Sequence, residues 1–268
     1  MKILQIHNPF NAPVFFEETV TSTMDVSRQL AEKGEPCGSV IIADFQEQGR
    51  GRIPGRKWQT QRAMNLSFTI LLRYSCIEEI PPALTLRAGL AAALAIEKIY
   101  PSLTGKLSIK WPNDLLIGNK KTAGILCESD GKNVFLGIGI NVMQIEFPPE
   151  LKEKATSLTL ETGNEELKTD NGQKLAGKEH RYCFNLLEII LKFLFNELEN
   201  KTNNKWKDEI EKRLYKKNEN VVFIEGAADS KNEINGLLTG ISENGELLII
   251  PEGQTEHRNF ITGELKFI

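Results

Sequence analysis

The segment Gly49–Trp58 concentrates groups that bind anions. Its ten residues, GRGRIPGRKW, include three glycines, three arginines, a lysine and a tryptophan. Glycine lets backbone N–H groups approach a ligand closely, and arginine can bind a carboxylate or phosphate through two hydrogen bonds. This basic loop is not a Walker loop, because no Gly-Lys-Ser/Thr closes it, and its glycine spacing is one residue too long for a dinucleotide fingerprint. A short basic run is also often a solvated turn, so the loop indicates an anion site only together with other residues.

The motifs KWPND and KTAGIL supply two candidate charged groups, Asp114 and Lys121. Asp114 follows a Pro–Asn turn near a strand end, and Lys121 comes seven residues later, before an apolar strand. Alone, Asp114 is explained as a turn-capping residue and Lys121 as a solvated hairpin lysine. Taken with the basic loop, they indicate a site for a pair of anionic groups.

Glycines mark the strands beside these charges. Gly124 lies in the apolar strand after Lys121, and the period of two in GIGIN puts Gly137, Gly139 and Asn141 on one face. A glycine inside a strand often marks the close approach of a ligand, although a bulge or a tight helix contact explains it equally well. The combined pattern predicts a flat apolar group on a glycine floor, with anions at one end.

The elements that must position these residues are predicted from hydrophobic periodicity and turn signals. A helix begins at Ser22, with Asp25 at the capping-box distance, and stops at Gly34. A helix over 83–99 is apolar nearly all round, which indicates burial. Strands are predicted at 39–43, 66–72, 107–111, 115–117, 122–128 and 134–142, helices at 181–198 and 206–214, and short strands at 221–224, 234–241, 246–250, 256–260 and 265–268.

The resulting fold class is α+β. A mixed β-sheet packed with helices is predicted over 1–217, and a small β-barrel over 218–268. The strands between 115 and 142 form an antiparallel meander, and the polar segment 163–177 is an exposed connection.

Composition limits the function classes. The 268 residues are 40% hydrophobic and 26% charged, which is ordinary for a soluble protein, and the net charge of −3 gives no general attraction to nucleic acid. The four cysteines show no C-x-x-C spacing, which argues against a zinc site and for a reducing compartment. Neither a signal peptide nor a membrane span is predicted, so we expect a cytoplasmic protein that does not bind membranes.

The motifs STM (22–24), GRGR…GRKW, KWPND, K-x-x-GIL and GIGIN, in this order, resemble those of biotin protein ligases. Those enzymes biotinylate a lysine of carboxylase carrier proteins. The resemblance runs from about Thr19 to Asn141. It implies a catalytic domain like that of class II aminoacyl-tRNA synthetases and biotin synthetases, with an SH3-like C-terminal barrel.

The resemblance also implies residue roles. Those for biotin fall on Ser22, Thr23 and Gln46 at the ureido ring, on Gly124, Leu126, Gly137 and Gly139 along the ring and tail, and on Gly49, Arg50, Arg52 and Lys121 around them. Those for ATP and the adenylate fall on Arg52, Arg56, Trp58, Asn113, Asp114, Lys121 and Asn141. Catalytic roles are implied for Lys121, Arg52 and Asp114. Two departures from the family pattern are Met24, where many members have Asn, which we expect to matter little, and a basic loop one residue longer than the shorter family form.

The chemistry implied is formation of biotinyl-5′-AMP from biotin and ATP, followed by transfer of biotin to a carrier lysine. Lys121, the loop arginines and the Mg²⁺ that accompanies ATP would neutralise two anions brought together, and no protein ligand is assigned to the metal. Asp114 is the candidate to orient or deprotonate the acceptor lysine. The expected partner is a biotin carboxyl carrier protein, no nucleic acid is expected, and a homodimer is left open.

Two alternatives are kept. A lipoate or octanoate ligase of related fold is disfavoured by GRGR and KWPND. A biotin-sensing repressor would need an N-terminal helix-turn-helix, and the short strand-like segment before Ser22 predicts no recognition helix.

Overall fold

A computed structural model describes residues 1–163, 179–199, 205–226 and 232–266. The predicted connection 163–177 lies outside the described residues, apart from Gly163. The four cysteines all lie within the described part of the chain and are free thiols.

An eight-stranded sheet forms the centre of the molecule, in the order β1-β2-β3-β4-β8-β7-β6-β5. Its strands are β1 Lys2–Leu4, β2 Val14–Val20, β3 Val40–Gln46, β4 Asn65–Arg73, β5 Leu107–Lys110, β6 Asp114–Ile117, β7 Lys120–Ser129 and β8 Asn133–Asn141. Only the β2–β3 pair is parallel among these neighbours. The predicted mixed sheet is therefore confirmed, and so is the antiparallel meander, which extends back to β5.

Alternation along β4 separates the two faces of this sheet. Leu66, Phe68 and Ile70 belong to the large hydrophobic core, whereas Ser67 and Thr69 point to the opposite face. The core face is covered by the helices that follow β4 and β8. The opposite face keeps polar and glycine positions and is only partly covered, so it is the face available to a ligand.

The described part of the chain contains five α-helices. They are α1 Thr23–Glu32, α2 Leu84–Ile99, α3 Leu158–Thr162, α4 Glu179–Glu199 and α5 Lys205–Lys212. Helix α1 packs against β3, β4 and β8, whereas α2 packs against α4, α5 and the strands β5, β6 and β7. The segment 77–99 is long and apolar enough to cross a membrane, but it is mostly buried inside the fold, as a core helix is.

Helix α1 begins as predicted, with a different partner for Asp25. The Ser22 side chain accepts a hydrogen bond from the Met24 amide at 3.2 Å, which caps the helix. Asp25 stands at the capping-box position but accepts a bond from Arg50 of the basic loop at 2.8 Å. The first turn of α1 is thus tied to that loop.

The C-terminal strands make a second sheet, in the order β12-β11-β10-β9-β13. They are β9 Asn220–Glu225, β10 Glu233–Ile241, β11 Leu247–Pro251, β12 Arg258–Phe260 and β13 Gly263–Leu265. The small β-unit is as predicted, although β13 begins two residues before the predicted strand 265–268, and residues 267–268 lie outside the described part. The hydrogen-bonded order is open, running from β12 to β13, and the domain division at 217/218 stays a prediction.

Trp111 joins the two sheets. Its indole N–H donates to the carbonyl of Gly245 at 2.9 Å, and its ring lies 5.9 Å from that of Phe223 in the C-terminal core. The KWPND motif, which carries candidate site residues, is therefore held against the second sheet.

Candidate active site

A glycine floor lies at the middle of the open face. Gly139 of β8 pairs with Gly124 of β7, and Gly137 occupies the next position on the same face. A Cβ added to Gly139 would stand 2.4 Å from Cε2 of Trp58, closer than real Cβ atoms approach. The indole of the basic loop therefore lies directly on the floor, and only glycine permits this contact.

A hydrogen-bonding cluster stands at one end of the floor. The side-chain oxygen of Gln46, Oε1, accepts from the backbone amide of Thr23 at 2.8 Å and from the Thr23 hydroxyl at 3.1 Å. Thr69 of β4, which pairs with Gly137 of β8, donates to the Thr23 hydroxyl oxygen at 2.9 Å. Capping of α1 and the end of β3 bring these buried groups together, and they can exchange hydrogen bonds with a polar ring.

A cationic group stands at the other end. Lys121 Nζ lies 2.6 Å from Asp114 Oδ1 and 5.7 Å from the centre of the Trp58 ring. A Cβ on Gly124 would meet this ammonium at 3.0 Å, so Lys121 lies over the floor. The Asn113 side chain donates to the carbonyl of Ile125 at 2.7 Å, which fixes the turn that presents Asp114.

The basic loop folds back on itself as a narrow hairpin. The Gly51 amide donates to the Arg56 carbonyl and the Trp58 amide to the Gly49 carbonyl, each at 2.9 Å. Gly49 must be glycine, because a Cβ there would lie 2.5 Å from the Trp58 carbonyl oxygen. The hairpin places Trp58 on the floor and Arg50 and Arg52 beside the cavity, whereas Arg56 reaches away to the second sheet.

Two sets of contacts anchor this hairpin. Arg50 binds Glu128 of β7 through two hydrogen bonds, at 3.0 and 3.1 Å, in addition to its bond to Asp25. The hydrogen bonds from Arg50 hold the pKa of Glu128 below its usual value, against the effect of burial. At the other side of the loop, Arg56 makes a two-point ion pair with Glu264 at 2.8 and 2.9 Å, and Arg52 donates to the Gly263 carbonyl at 2.8 Å.

Between the loop and the floor lies a cavity of about 70 Å³. A space of this size holds only a few water molecules, so an organic ligand needs Trp58 to move aside. The predicted residues that line it are Ser22, Thr23, Gln46, Arg50, Arg52, Trp58, Asn113, Lys121, Gly124, Leu126, Gly137 and Gly139.

Comparison with known proteins gives this site a family. The model of the biotin/lipoate A/B protein ligase family matches residues 16–144, which include the whole floor, α1 and the basic loop. The solved biotin protein ligase from Aquifex aeolicus in complex with biotin and ATP is 30% identical, with a TM-score of 0.74, over 94% of this chain and 97% of that one. The chain belongs to the biotin/lipoate A/B protein ligase family.

Curated relatives within this family match over a shorter region. The bifunctional ligase/repressor BirA of Bacillus subtilis is 38% identical over 157 residues, 56% of this chain and 47% of that protein. The biotin--[acetyl-CoA-carboxylase] ligase of Mycobacterium tuberculosis is 33% identical over 145 residues, 53% of this chain and 52% of that protein. The matched region thus spans about half the length of these curated relatives.

Four predicted residues of this ligase-family site lie away from the cavity. Gly49 packs under the loop backbone, Arg56 reaches the second sheet, and Asp114 is set back behind Lys121. Asn141 is buried, and its amide donates to the Thr156 carbonyl at 3.0 Å and accepts from the Asn65 side chain at 3.0 Å. Asn141 does not line the cavity, and its side chain is hydrogen-bonded within the fold, so its role as a nucleotide contact stays a prediction.

Sequence reasoning missed several residues of the site. Met24 was expected to matter little, yet it lines the cavity, and a Cβ on Gly137 would lie 3.0 Å from its sulfur. Glu128 and Glu264 anchor the basic loop from 78 and 208 residues away, and no local signal could pair them with arginines. Across the described part of the chain, no group of three or more His, Cys, Asp or Glu side chains could hold a metal ion.

Proposed function

We propose that the protein is an ATP-dependent biotin protein ligase, which forms biotinyl-5′-AMP and transfers biotin to a lysine of a carboxyl carrier protein. The observation that carries this proposal is the polarity of the cavity, with the Thr23–Gln46 cluster at one end of a glycine floor and Lys121 at the other. Biotin has the matching polarity, because its ureido ring and its carboxylate lie at opposite ends of an apolar body.

The hydrogen-bonding end favours biotin over lipoate. A ureido group has two N–H donors and a carbonyl acceptor, which Ser22, Thr23 and Gln46 can satisfy. The dithiolane ring of lipoate has no such groups, so its binding would leave buried polar atoms without partners. Sites built to hydrogen-bond a substrate reject analogues that lack those groups by factors of about 10⁴ to 10⁵.

The cationic end suits the first chemical step. An oxygen of the biotin carboxylate attacks the α-phosphorus of ATP, the bond to pyrophosphate breaks, and a mixed anhydride forms. Two anions must meet in this step, and the Lys121 ammonium over the floor can stabilise both of them and the charge on the transferring phosphoryl group. Arg52 of the loop, whose guanidinium reaches across to Gly263, is the second cation proposed here.

Mg²⁺ is proposed to enter with ATP. This ion is commonly held by one or two carboxylates, water and the phosphates of the substrate, without an all-protein cage. We assign no protein ligand to it.

The second step transfers biotin to the carrier. The uncharged amine of the acceptor lysine attacks the acyl carbon, AMP leaves, and the amine loses a proton. Asp114 is proposed to orient or deprotonate that amine, since its carboxylate lies 2.6 Å from the ammonium of Lys121, which lines the cavity. A carrier such as an acetyl-CoA carboxylase subunit is proposed as the partner, by analogy with the named function of the Mycobacterium tuberculosis relative.

The basic loop is proposed to act as a lid over the adenylate. The anhydride is sensitive to water, and a closed loop would exclude water during the reaction. The small cavity and the anchors of Arg50 and Arg56 describe a closed arrangement, from which the loop must open to admit the ligand.

The test is exchange of labelled pyrophosphate into ATP, with biotin and lipoate as separate acids. Exchange that depends on biotin is expected, and Lys120→Ala serves as a control for Lys121→Ala, because Lys120 is the adjacent lysine and pairs with Glu153 on the surface. Exchange only with lipoate would move the protein to the lipoate-specific members of the family. Exchange with neither acid would refute the proposed ligase reaction.

A further inference from the structure

Lys110 is a buried lysine at the edge of the proposed site. It is the last residue of β5, and only 2% of its surface is exposed. In the β5–β6 pair it stands directly opposite Asp114, and side chains opposed in this way share a face of the sheet. Asp114 therefore has a lysine on each side, Lys110 across β5–β6 and Lys121 at 2.6 Å.

The proposed reaction gives Lys121 a second task. In the free protein its ammonium neutralises Asp114, whose side chain is only 18% exposed. In adenylation the same ammonium must serve a carboxylate and a phosphate. If Asp114 then had no counter-ion, its charge would repel the incoming phosphate, and a poorly solvated carboxylate without a partner is costly.

We propose that Lys110 is a positioning residue, which keeps Asp114 neutralised when Lys121 turns to the phosphate of the ligand. This inference rests on the proposed ligase function. Lys110 acts through Asp114 and touches neither biotin nor ATP. Its place at the closing pair of the KWPND turn explains why this buried position holds a lysine where an apolar residue would pack more easily.

The charges around Lys110 predict a proton uptake that accompanies ligand binding. The pKa of Lys110 is lowered to about 8, chiefly by burial. The positive charges of Lys121 and Arg56 also lower it, whereas the negative charges of Asp114 and Glu264 raise it. When a phosphate neutralises Lys121, one cation that lowers this pKa is cancelled and Asp114 is left facing Lys110. The pKa of Lys110 must then rise, so a lysine that is partly neutral in the free protein takes up a proton in the complex.

The experiment is calorimetric titration with a non-hydrolysable biotinyl-adenylate, in which a phosphodiester replaces the acyl phosphate. Titration in buffers of different ionisation enthalpy gives the number of protons taken up. For the wild-type protein we expect an uptake of about half a proton or more near pH 8.5 and almost none near pH 6.5, where Lys110 is already charged.

Three variants separate this role from a structural one. Lys110→Met is expected to lose the uptake and to bind the analogue about tenfold more weakly, since Asp114 is left without a counter-ion. Lys110→Arg is expected to keep the affinity and lose the uptake, because a guanidinium stays protonated at both pH values. Lys120→Met removes the lysine next to Lys121, which pairs with Glu153 at the surface, and is expected to keep both the affinity and the proton uptake.

The outcomes are distinguishable. Uptake that persists in Lys110→Met, or that is absent in a wild-type protein that binds the analogue, would overturn the assignment of Lys110 and leave the ligase function standing. Failure of the wild-type protein to bind the analogue would overturn the proposed function and this inference with it. Thermal unfolding checks that each variant is folded, and if Lys110→Met does not fold, Lys110→Arg still tests the uptake.

Discussion

Substitution of Gly139 by alanine tests whether the floor of the cavity must be bare backbone. The added Cβ would stand 2.4 Å from Cε2 of Trp58 and 2.7 Å from its Cζ2 and Nε1. The indole is rigid, so it must move by about 1 Å to restore ordinary van der Waals contact. A ligand on the same floor would meet the same methyl group.

The expected magnitude follows from this overlap. Inserting a methyl group into a packed site costs about 1–3 kcal/mol. Trp58 stands on a loop that can shift, so we expect the free energy of unfolding to fall by about 1 kcal/mol, at the low end of that range. A ligand fixed at both ends cannot shift as freely, so kcat/KM for biotin-dependent pyrophosphate exchange should fall by about ten- to a hundredfold, which is about 1.4–2.8 kcal/mol.

Two glycines provide matched controls. A Cβ on Gly137 would meet the Met24 sulfur at 3.0 Å, at the end of a flexible side chain, so Gly137→Ala should cost less than Gly139→Ala. A Cβ on Gly89, inside α2 and away from the site, would make ordinary contact at 3.7 Å, so Gly89→Ala should leave exchange unchanged and stability equal or slightly higher. A kcat/KM for exchange within threefold of the wild type in Gly139→Ala, or a larger loss in Gly137→Ala than in Gly139→Ala, would refute the claim that the ligand lies on bare backbone at Gly139.

Three further predictions concern the charged groups. Lys121→Ala should raise the activation free energy of adenylation by about 3–4 kcal/mol, as for other lost charge-stabilising donors, while Lys120→Ala leaves it unchanged. A single-turnover rate constant of Lys121→Ala within threefold of the wild type would remove Lys121 from this role. Glu128→Gln should lower the free energy of unfolding at neutral pH, because the bond from Arg50 holds the pKa of Glu128 below 4.5, its value in the unfolded chain. The ionised carboxylate therefore stabilises the fold above pH 4.5, and this stabilisation is lost as the pH falls through the pKa of the folded state. Denaturant titrations from pH 7 downward check this, and a difference between variant and wild type that does not shrink toward acid would contradict it. Glu264→Gln should change thermal stability by about 1 kcal/mol or less, since its partner Arg56 is largely exposed, but should speed tryptic cleavage within the basic loop several-fold; an unchanged cleavage rate would mean that the ion pair does not anchor the loop.

The fold and the floor were accessible from sequence because their signals are local. The period of two in GIGIN put Gly137 and Gly139 on one face, and the apolar run of α2 predicted a core helix, as the structure confirms. Strand ends were less certain, since β3 continues from the predicted 39–43 to Gln46. Parallel pairing with β2 continues to Gln46 and extends that strand, whereas the pairing with β4 ends at Ala43, and neither neighbour can be read from the residues of β3 itself.

The supporting contacts of the site could not be predicted from the sequence, because they join residues far apart along the chain. Alternation placed Asn141 on the open face but could not show that Asn65 and Thr156 take up its amide. The carboxylates that hold the basic loop stand on β7 and β13, and surface charges carry no pattern that assigns them partners. Lys110 is part of the KWPND motif, and nothing in that motif indicates that its side chain is buried.

The attachment of the basic loop to β13 has a consequence for biogenesis. Arg52 donates to the Gly263 carbonyl and Arg56 pairs with Glu264, in each case some two hundred residues further along the chain. A protein emerges from the ribosome with its N-terminal part first, so α1, the glycine floor and Lys121 can assemble while the residues of β13 are still inside the exit tunnel. The nascent chain therefore passes through a stage in which its ligand site can form while the basic loop still lacks its contacts to β13, and those contacts form only after β13 has left the ribosome.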